Sequence, residues 1–169
     1  AVRLHRVVEF DHEKFEDEGG RRYRVRPWSL REYLGRWYLY GEAANVPNPL
    51  FFGLDRITNL ELTEEKFPAP TGPAALENLI GISEAGEQPS LVTLEFTALQ
   101  GKYVKALPLH PSQKVVEDSP GHTVVTIRVV INHELRQLIL MQGSSVRVRS
   151  PESLAADIAA EHKKSAGLY

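Results

Sequence analysis

Arginine and aromatic side chains crowd one stretch of this chain in a pattern suited to a flat, anionic ligand. Between Arg21 and Arg36 stand six arginines (Arg21, Arg22, Arg24, Arg26, Arg31 and Arg36) against one acid, Glu32, with Trp28 among them and Trp37, Tyr38 and Tyr40 just beyond. A guanidinium offers phosphate a fixed fork of donors, and an aromatic face stacks on a base for about 1–3 kcal/mol. Strand alternation sorts these residues. If Trp37 and Leu39 face a core, then Arg36, Tyr38 and Tyr40 face the other side, and Arg24, Arg26 and Trp28 share the face opposite Val25. Trp37 then reads as a core aromatic, whereas Trp28 stands open between core and ligand surface. The charges admit a plainer reading as well. Glu9 to Glu18 is predominantly acidic, so a hairpin with opposite charges on its two strands would pair them across the ladder.

Other reactive constellations are missing. The histidines His5, His12, His110, His122, His133 and His162 are scattered singly, never at the i, i+3 or i, i+4 spacing that puts two metal ligands on one helix face. Asp11-His12-Glu13 reads as a loop whose side chains diverge, and the pairs Glu64-Glu65 and Glu117-Asp118 read as solvated turns. There is no cysteine, hence no disulfide, thiolate or cysteine-ligated zinc. No phosphate loop, dinucleotide fingerprint or nucleophile elbow occurs, and the expectation is a protein that is not an enzyme and needs no metal or cofactor.

The 169 residues suffice for one good core or two small ones, and the net charge of −2 is evenly spread. Before Pro68 there are 11 basic and 12 acidic residues, and from Pro68 onward 9 and 10, so neither half is a basic nucleic-acid module. No apolar run nears the roughly 18 residues of a membrane span, and the expectation is a soluble, cytoplasmic protein.

The elements that must position the arginines read as short strands. Leu4 to Phe10, Tyr23 to Leu30, Arg36 to Tyr40, Leu50 to Leu54 and Ile57 to Leu62 are separated by turn residues, and five strands in so few residues predict a small SH3-like or OB-like barrel over 1–67. The three prolines and glycine of Phe67 to Pro73 predict a linker, which with a short helix at Ala74 to Ile80 and a loop at Ser83 to Pro89 fills 68–89. Over 90–169 the pattern is strand Leu91 to Phe96, helix Ala98 to Leu107, strands Gln113 to Glu117 and Thr123 to Ile131, a helix capped by Asn132 and stopped at Gly143, and strand Ser145 to Arg149. That order is β-α-β-β-α-β, a ferredoxin-like domain. A last helix is predicted with Ser150 as cap, Pro151 at its first position, and Leu154, Ala155, Ile158, Ala159 and His162 on one face; it covers its own sheet or crosses to a partner. The fold class expected is α+β.

Gly35-Arg36-Trp37-Tyr38-Leu39, followed after a turn by Phe52-Gly53-Leu54-Asp55-Arg56-Ile57, resembles the signature of WYL-domain proteins. The preceding Arg26-Pro27-Trp28-Ser29-Leu30-Arg31 adds a third matching block. Leu107 through Gln113 and Gly143 through Pro151 resemble the C-terminal extension that often follows this domain, so the resemblance covers nearly the whole chain. It implies an SH3-like or Sm-like barrel with a ferredoxin-like extension, normally preceded by a DNA-binding winged helix-turn-helix that these residues do not include. The chain thus reads as a piece of a longer bacterial transcription regulator, responsive to a nucleotide or a single-stranded oligonucleotide. Position by position, the resemblance implies Arg26, Trp28, Arg31, Tyr38, Phe52 and Arg56 as pocket residues. Gly53 and Leu50 stand where many relatives carry basic residues, which implies a less cationic pocket, and Asp55 is placed to hold Arg56 in an ion pair. The expected assembly is a homodimer that meets DNA only through the absent helix-turn-helix. The alternative is a dimerisation or protein-interaction module whose arginines are surface decoration.

Overall fold

The computed structural model describes residues 1–13, 19–69, 74–83 and 87–169. Residues 14–18, 70–73 and 84–86, on which parts of the expected hairpin connection, linker and loop fall, lie outside the described residues. The chain divides into two units, Ala1–Ala75 and Leu76–Tyr169.

The first unit is an antiparallel sheet of β1 (Arg6–His12), β2 (Arg21–Tyr33), β3 (Arg36–Ala43), β4 (Leu50–Gly53) and β5 (Ile57–Lys66), in the order β4-β3-β2-β1-β5. Its core is Val8, Phe10, Tyr23, Val25, Leu39, Ala43 and Phe52, the inward set of a two-residue alternation. The barrel expected from the sequence is not formed. β4 pairs with β3 and β5 with β1, and no ladder joins β4 to β5, so the sheet stays open. Exposed strand edges favour closure, but these edges are blunted in other ways. β4 has four residues, and β5 carries Glu61, Glu64, Glu65 and Lys66 and two register shifts against β1. Asp11 and His12 lie in β1 and not in a loop; His12 is buried, its ring edge-on to Phe52 at 5.3 Å.

In the second unit β6 (Ser90–Thr97), α2 (Ala98–Ala106), β7 (Lys114–Asp118), β8 (His122–Val129), α3 (His133–Leu140) and β9 (Val146–Ser150) form an antiparallel sheet in the order β7-β8-β6-β9, the ferredoxin-like arrangement. A four-residue helix α1 (Ala74–Glu77) precedes it and α4 (Glu152–Ala166) follows. Val92, Leu94 and Phe96 of β6 and Val125, Ile127 and Val129 of β8 meet Val104 of α2, Leu135 and Ile139 of α3, and Leu154 and Ile158 of α4 in one core. The last helix therefore packs on its own sheet. Asn132 caps α3 as expected, its Oδ1 accepting from the Leu135 amide at 2.9 Å. Ser150 does not cap α4: it ends β9, its hydroxyl is bonded to Thr93 Oγ1 at 3.0 Å, and Pro151 holds the cap position. The buried Glu134 accepts from the Ile82 amide at 3.1 Å and from the Ser83 hydroxyl, pinning the chain at Gly81, where φ is +78°.

Candidate functional site

The register of β2, β3 and β4 sorts the six sequence-predicted residues. Residues paired directly across antiparallel strands point to the same face. Leu30 pairs with Leu39 and Leu39 with Phe52, and Leu39 and Phe52 lie in the core. Phe52 is 2 % exposed and packs edge-on against Phe10 at 5.1 Å and Tyr23 at 5.0 Å. It supports the sheet from beneath and lies on the face away from the other five.

On that other face Arg31 pairs with Tyr38, and Tyr38 with Gly53. Gly53 leaves the third place of this row without a side chain, and Arg56 fills it. A Cβ on Gly53 would come within 3.1 Å of Nε of the Arg56 guanidinium and within 2.9 Å of Asp55 Oδ1. The departure from the family pattern at Gly53 thus makes room for a neighbouring arginine. In the adjoining row Ser29 pairs with Tyr40 and Tyr40 with Phe51. The register shifts between Pro27 and Ser29, so Trp28 stands at an irregularity, half-buried, with its ring edge-on to Tyr40 at 5.5 Å. Tyr40 in turn contacts the Phe51 ring at 4.5 Å, and burial raises its phenol pKa above the usual 10.0. Arg31, Tyr38 and Arg56 therefore form one row, beside a row of Trp28, Tyr40 and Phe51. Tyr40 and Phe51 were not among the expected site residues; the alternation Tyr38-Leu39-Tyr40 is the signal that places Tyr40 with Tyr38.

Arg26 stands apart. It pairs with Glu42, four residues along β3 from Tyr38, or about 13 Å at the usual strand rise, and its guanidinium meets the Glu42 carboxylate at 3.4 Å. A cavity of about 490 Å³ at that end is lined by Arg24 and Arg26 but also by Glu42 and Glu65, so its charges balance.

Much of the arginine patch is neutralised in the same way. Arg22 meets Glu61 at 2.8 Å, with Glu9 and Asp11 within 4 Å, and Arg24 pairs with Glu9 and Glu65. Hydrogen bonds to Glu61 and to Glu65 are the first causes holding these two arginines above their ordinary pKa. For these residues the plainer reading of cross-strand pairing holds, though the acids come from β1 and β5. Asp55 pairs with Arg36 and not primarily with Arg56; the hydrogen bond from Arg36 lowers its pKa below 3.8. Trp37, expected in the core, is 53 % exposed. It sits two residues from the Leu34-Gly35 turn, at the tip of a hairpin that outruns the core beneath it. Among the described residues no group of three or more His, Cys, Asp or Glu side chains has a metal-binding arrangement, and no helix is long and apolar enough to cross a membrane.

Comparison with known proteins bears on this geometry. The WYL domain family matches residues 1–62 and the WCX domain family residues 88–166. No curated protein matches the chain significantly. Among solved structures, proteasome accessory factor B/C (PafBC) of Arthrobacter aurescens is 20% identical over 94% of this chain and 24% of its own, with a TM-score of 0.40. The crystal structure of a CRISPR Cas-related protein is 13% identical over 100% of this chain and 49% of its own, with a TM-score of 0.58, a likeness of fold. This chain spans less than half the length of either. It is a WYL-domain-containing protein, with a WYL domain followed by a WCX domain.

Proposed function

We propose that this chain is the effector-sensing part of a bacterial transcription regulator, and that its WYL domain binds an anionic, nucleotide-like or single-stranded nucleic acid effector on the outer face of β2, β3 and β4. The observation that carries this reading is the row Arg31, Tyr38 and Arg56. The register sets Arg31 and Arg56 on either side of Tyr38, which is 7 % exposed, and in the adjoining row the half-buried Trp28 and Phe51 supply apolar surface for a base, with Tyr40 buried against both. Arg26 serves as an outlying contact that an effector reaches by competing with Glu42. Phe52 acts from the core by holding Leu39 and the sheet in place. Residues 1–67 are the sensing domain, 68–89 the connection and 90–169 the domain that transmits the signal or dimerises, and DNA is met through a segment outside this chain. Such a sensor needs two states that differ in effector affinity.

The test is a fluorescence-polarisation titration of labelled single-stranded oligonucleotides and cyclic dinucleotides at one fixed salt concentration. Saturable binding by the wild type that is lost in Arg31→Ala/Arg56→Ala and weakened only a few-fold in Arg26→Ala is the expected result. Equal binding by the double variant removes the site from this face.

A second reading, a dimerisation or protein-interaction module, is favoured by one observation. Arg22, Arg24, Arg26 and Arg36 are each already matched by a carboxylate. It predicts no binding of any anionic probe by well-folded protein, together with a concentration-dependent sedimentation coefficient.

A further inference from the structure

The turn Leu54–Arg56 sets one carboxylate among the arginines on the outer face of the WYL domain. Arg36 and Tyr38 lie two residues apart on β3 and so share that face, on which Arg31 and Arg56 stand to either side of Tyr38. The Asp55 side chain reaches into this set. Its Oδ2 accepts from Arg36 Nη2, while its Oδ1 and the Arg56 guanidinium both border the place that a side chain at Gly53 would occupy, 2.9 and 3.1 Å from it. The hydrogen bond from Arg36 is the first cause that keeps the Asp55 carboxyl below its ordinary 3.8, and the charge of Arg56 adds to it. Asp55 thus lies between two guanidiniums, as an anionic group of a ligand would.

Exposure decides whether a ligand can take that place. The side chains of Arg36 and Asp55 are 42 % and 51 % exposed, so the pair stands largely in water and holds weakly. A buried pair would be costly to part, and Arg36 would then serve the fold alone. A phosphate brings more charge than a carboxylate and more acceptor oxygens, and it can meet the fork of a guanidinium with two of them. The tether differs as well. Arg22 and Arg24 are each held by carboxylates of both β1 and β5, whereas the acid on Arg36 comes from a three-residue turn.

Resting on the reading that the effector binds this face, we propose that Asp55 is a built-in competitor of the effector. In the free protein it occupies an anion place between Arg36 and Arg56; a phosphate of the effector takes that place, and Arg36 is a further effector contact that Asp55 covers until then. Asp55 therefore sets the affinity of the site and favours groups that outbid a carboxylate.

The test is fluorescence polarisation with a labelled single-stranded oligonucleotide at several salt concentrations, on the wild type, Asp55→Asn, Arg36→Ala, Arg36→Ala/Asp55→Asn and Arg31→Ala/Arg56→Ala. Asparagine keeps the shape of the side chain and removes its charge. Asp55→Asn should bind about five- to tenfold more tightly than the wild type, and its slope of log affinity against log salt should steepen by about 0.7, the value of one phosphate contact on a single strand. Without Arg36 the same substitution should gain less than about threefold. In the wild type, carbon-13 resonances should show the Asp55 carboxyl titrating nearer its ordinary value in the complex than in the free protein. Binding by a folded Asp55→Asn that equals or falls below that of the wild type makes Asp55 a brace of the turn and overturns the proposal, as does a full gain that survives Arg36→Ala. Should Asp55→Asn fail to fold, an Asp55 titration in the wild type that saturating oligonucleotide leaves unchanged overturns it instead. The underlying reading fails separately: Arg31→Ala/Arg56→Ala would then bind as tightly as the wild type, or neither the wild type nor Asp55→Asn would bind, and the proposal falls with it.

Discussion

Phe52→Ala separates a core role for this residue from a ligand-contact role. Its ring is 2 % exposed and meets Phe10, Tyr23 and His12 edge-on at 5.1, 5.0 and 5.3 Å. Truncating a buried phenylalanine costs about 3–5 kcal/mol through lost transfer energy and the cavity left behind. Residues Ala1–Ala75, taken as a folding unit, carry on the order of 4–11 kcal/mol in total at ordinary per-residue stability. The loss is therefore a large share of what holds the sheet together. Urea unfolding followed by tryptophan fluorescence is the assay, because Trp28 and Trp37 are the only tryptophans and both lie in this unit. At a slope of ~2 kcal/mol/M the midpoint should fall by about 2 M. If no folded baseline remains, Phe52→Leu keeps most of the volume but loses the ring contacts, and should cost about 1–2 kcal/mol. A midpoint shift corresponding to less than ~0.5 kcal/mol in Phe52→Leu, with effector binding lost, would refute the core assignment and return Phe52 to the binding surface.

Three further outcomes follow from particular contacts. Gly53→Ala should displace the Arg56 guanidinium and weaken effector binding as Arg56→Ala does, while polarisation and urea titration together show a midpoint changed by less than ~1 kcal/mol, because the atoms it meets are the ends of flexible side chains. Gly101→Ala, which in an exposed helix would gain about 1 kcal/mol, should instead destabilise the second unit by about 1–3 kcal/mol, since the new Cβ would lie 2.6 Å from the Thr123 Cβ; far-ultraviolet melting measures it. In the second unit Glu117 is held below its ordinary 4.5 by the hydrogen bond with His122, and Glu95 by that with Arg149. Carboxylates depressed in the folded state stabilise it above their unfolded pKa and stop doing so as pH falls through the folded value, so melting temperature should drop below about pH 4.5 and the drop should be shallower in Glu117→Gln.

The two-residue alternation was legible wherever both faces of a strand differ. Tyr23 and Val25 turn inward between Arg22, Arg24 and Arg26, and the ferredoxin-like order of the second unit followed from strand and helix periods with the Asn132 cap. What the sequence could not show depends on where a core ends. Trp37 has the composition of a core residue, yet the β2–β3 hairpin extends past Leu39 and leaves it in solvent. Barrel closure is likewise a matter of whether β4 and β5 meet, which no local pattern encodes. Ser150 has the residue type of a cap, but Thr93 on the neighbouring strand takes its hydroxyl. The site was legible as a set of residue types and illegible as a row. Arg31, Tyr38 and Arg56 come together only through the register of three strands and the missing side chain at Gly53.

That register also changes what the arginines mean. Counted along the sequence, six arginines in sixteen residues look like a cationic surface. In the fold, Glu9, Asp11, Glu61 and Glu65 draw Arg22 and Arg24 into exposed ion pairs, each worth little to stability but enough to cancel the local field. Arg36 is committed to Asp55, on the short turn Leu54–Arg56 that also carries Arg56. The pair therefore fixes the turn while Arg56 lies against Gly53 beside Tyr38. Under the proposed function, selectivity for an effector would rest on geometry, Arg31 and Arg56 set on either side of one ring, more than on net charge, since each half of the chain carries slightly more acid than base.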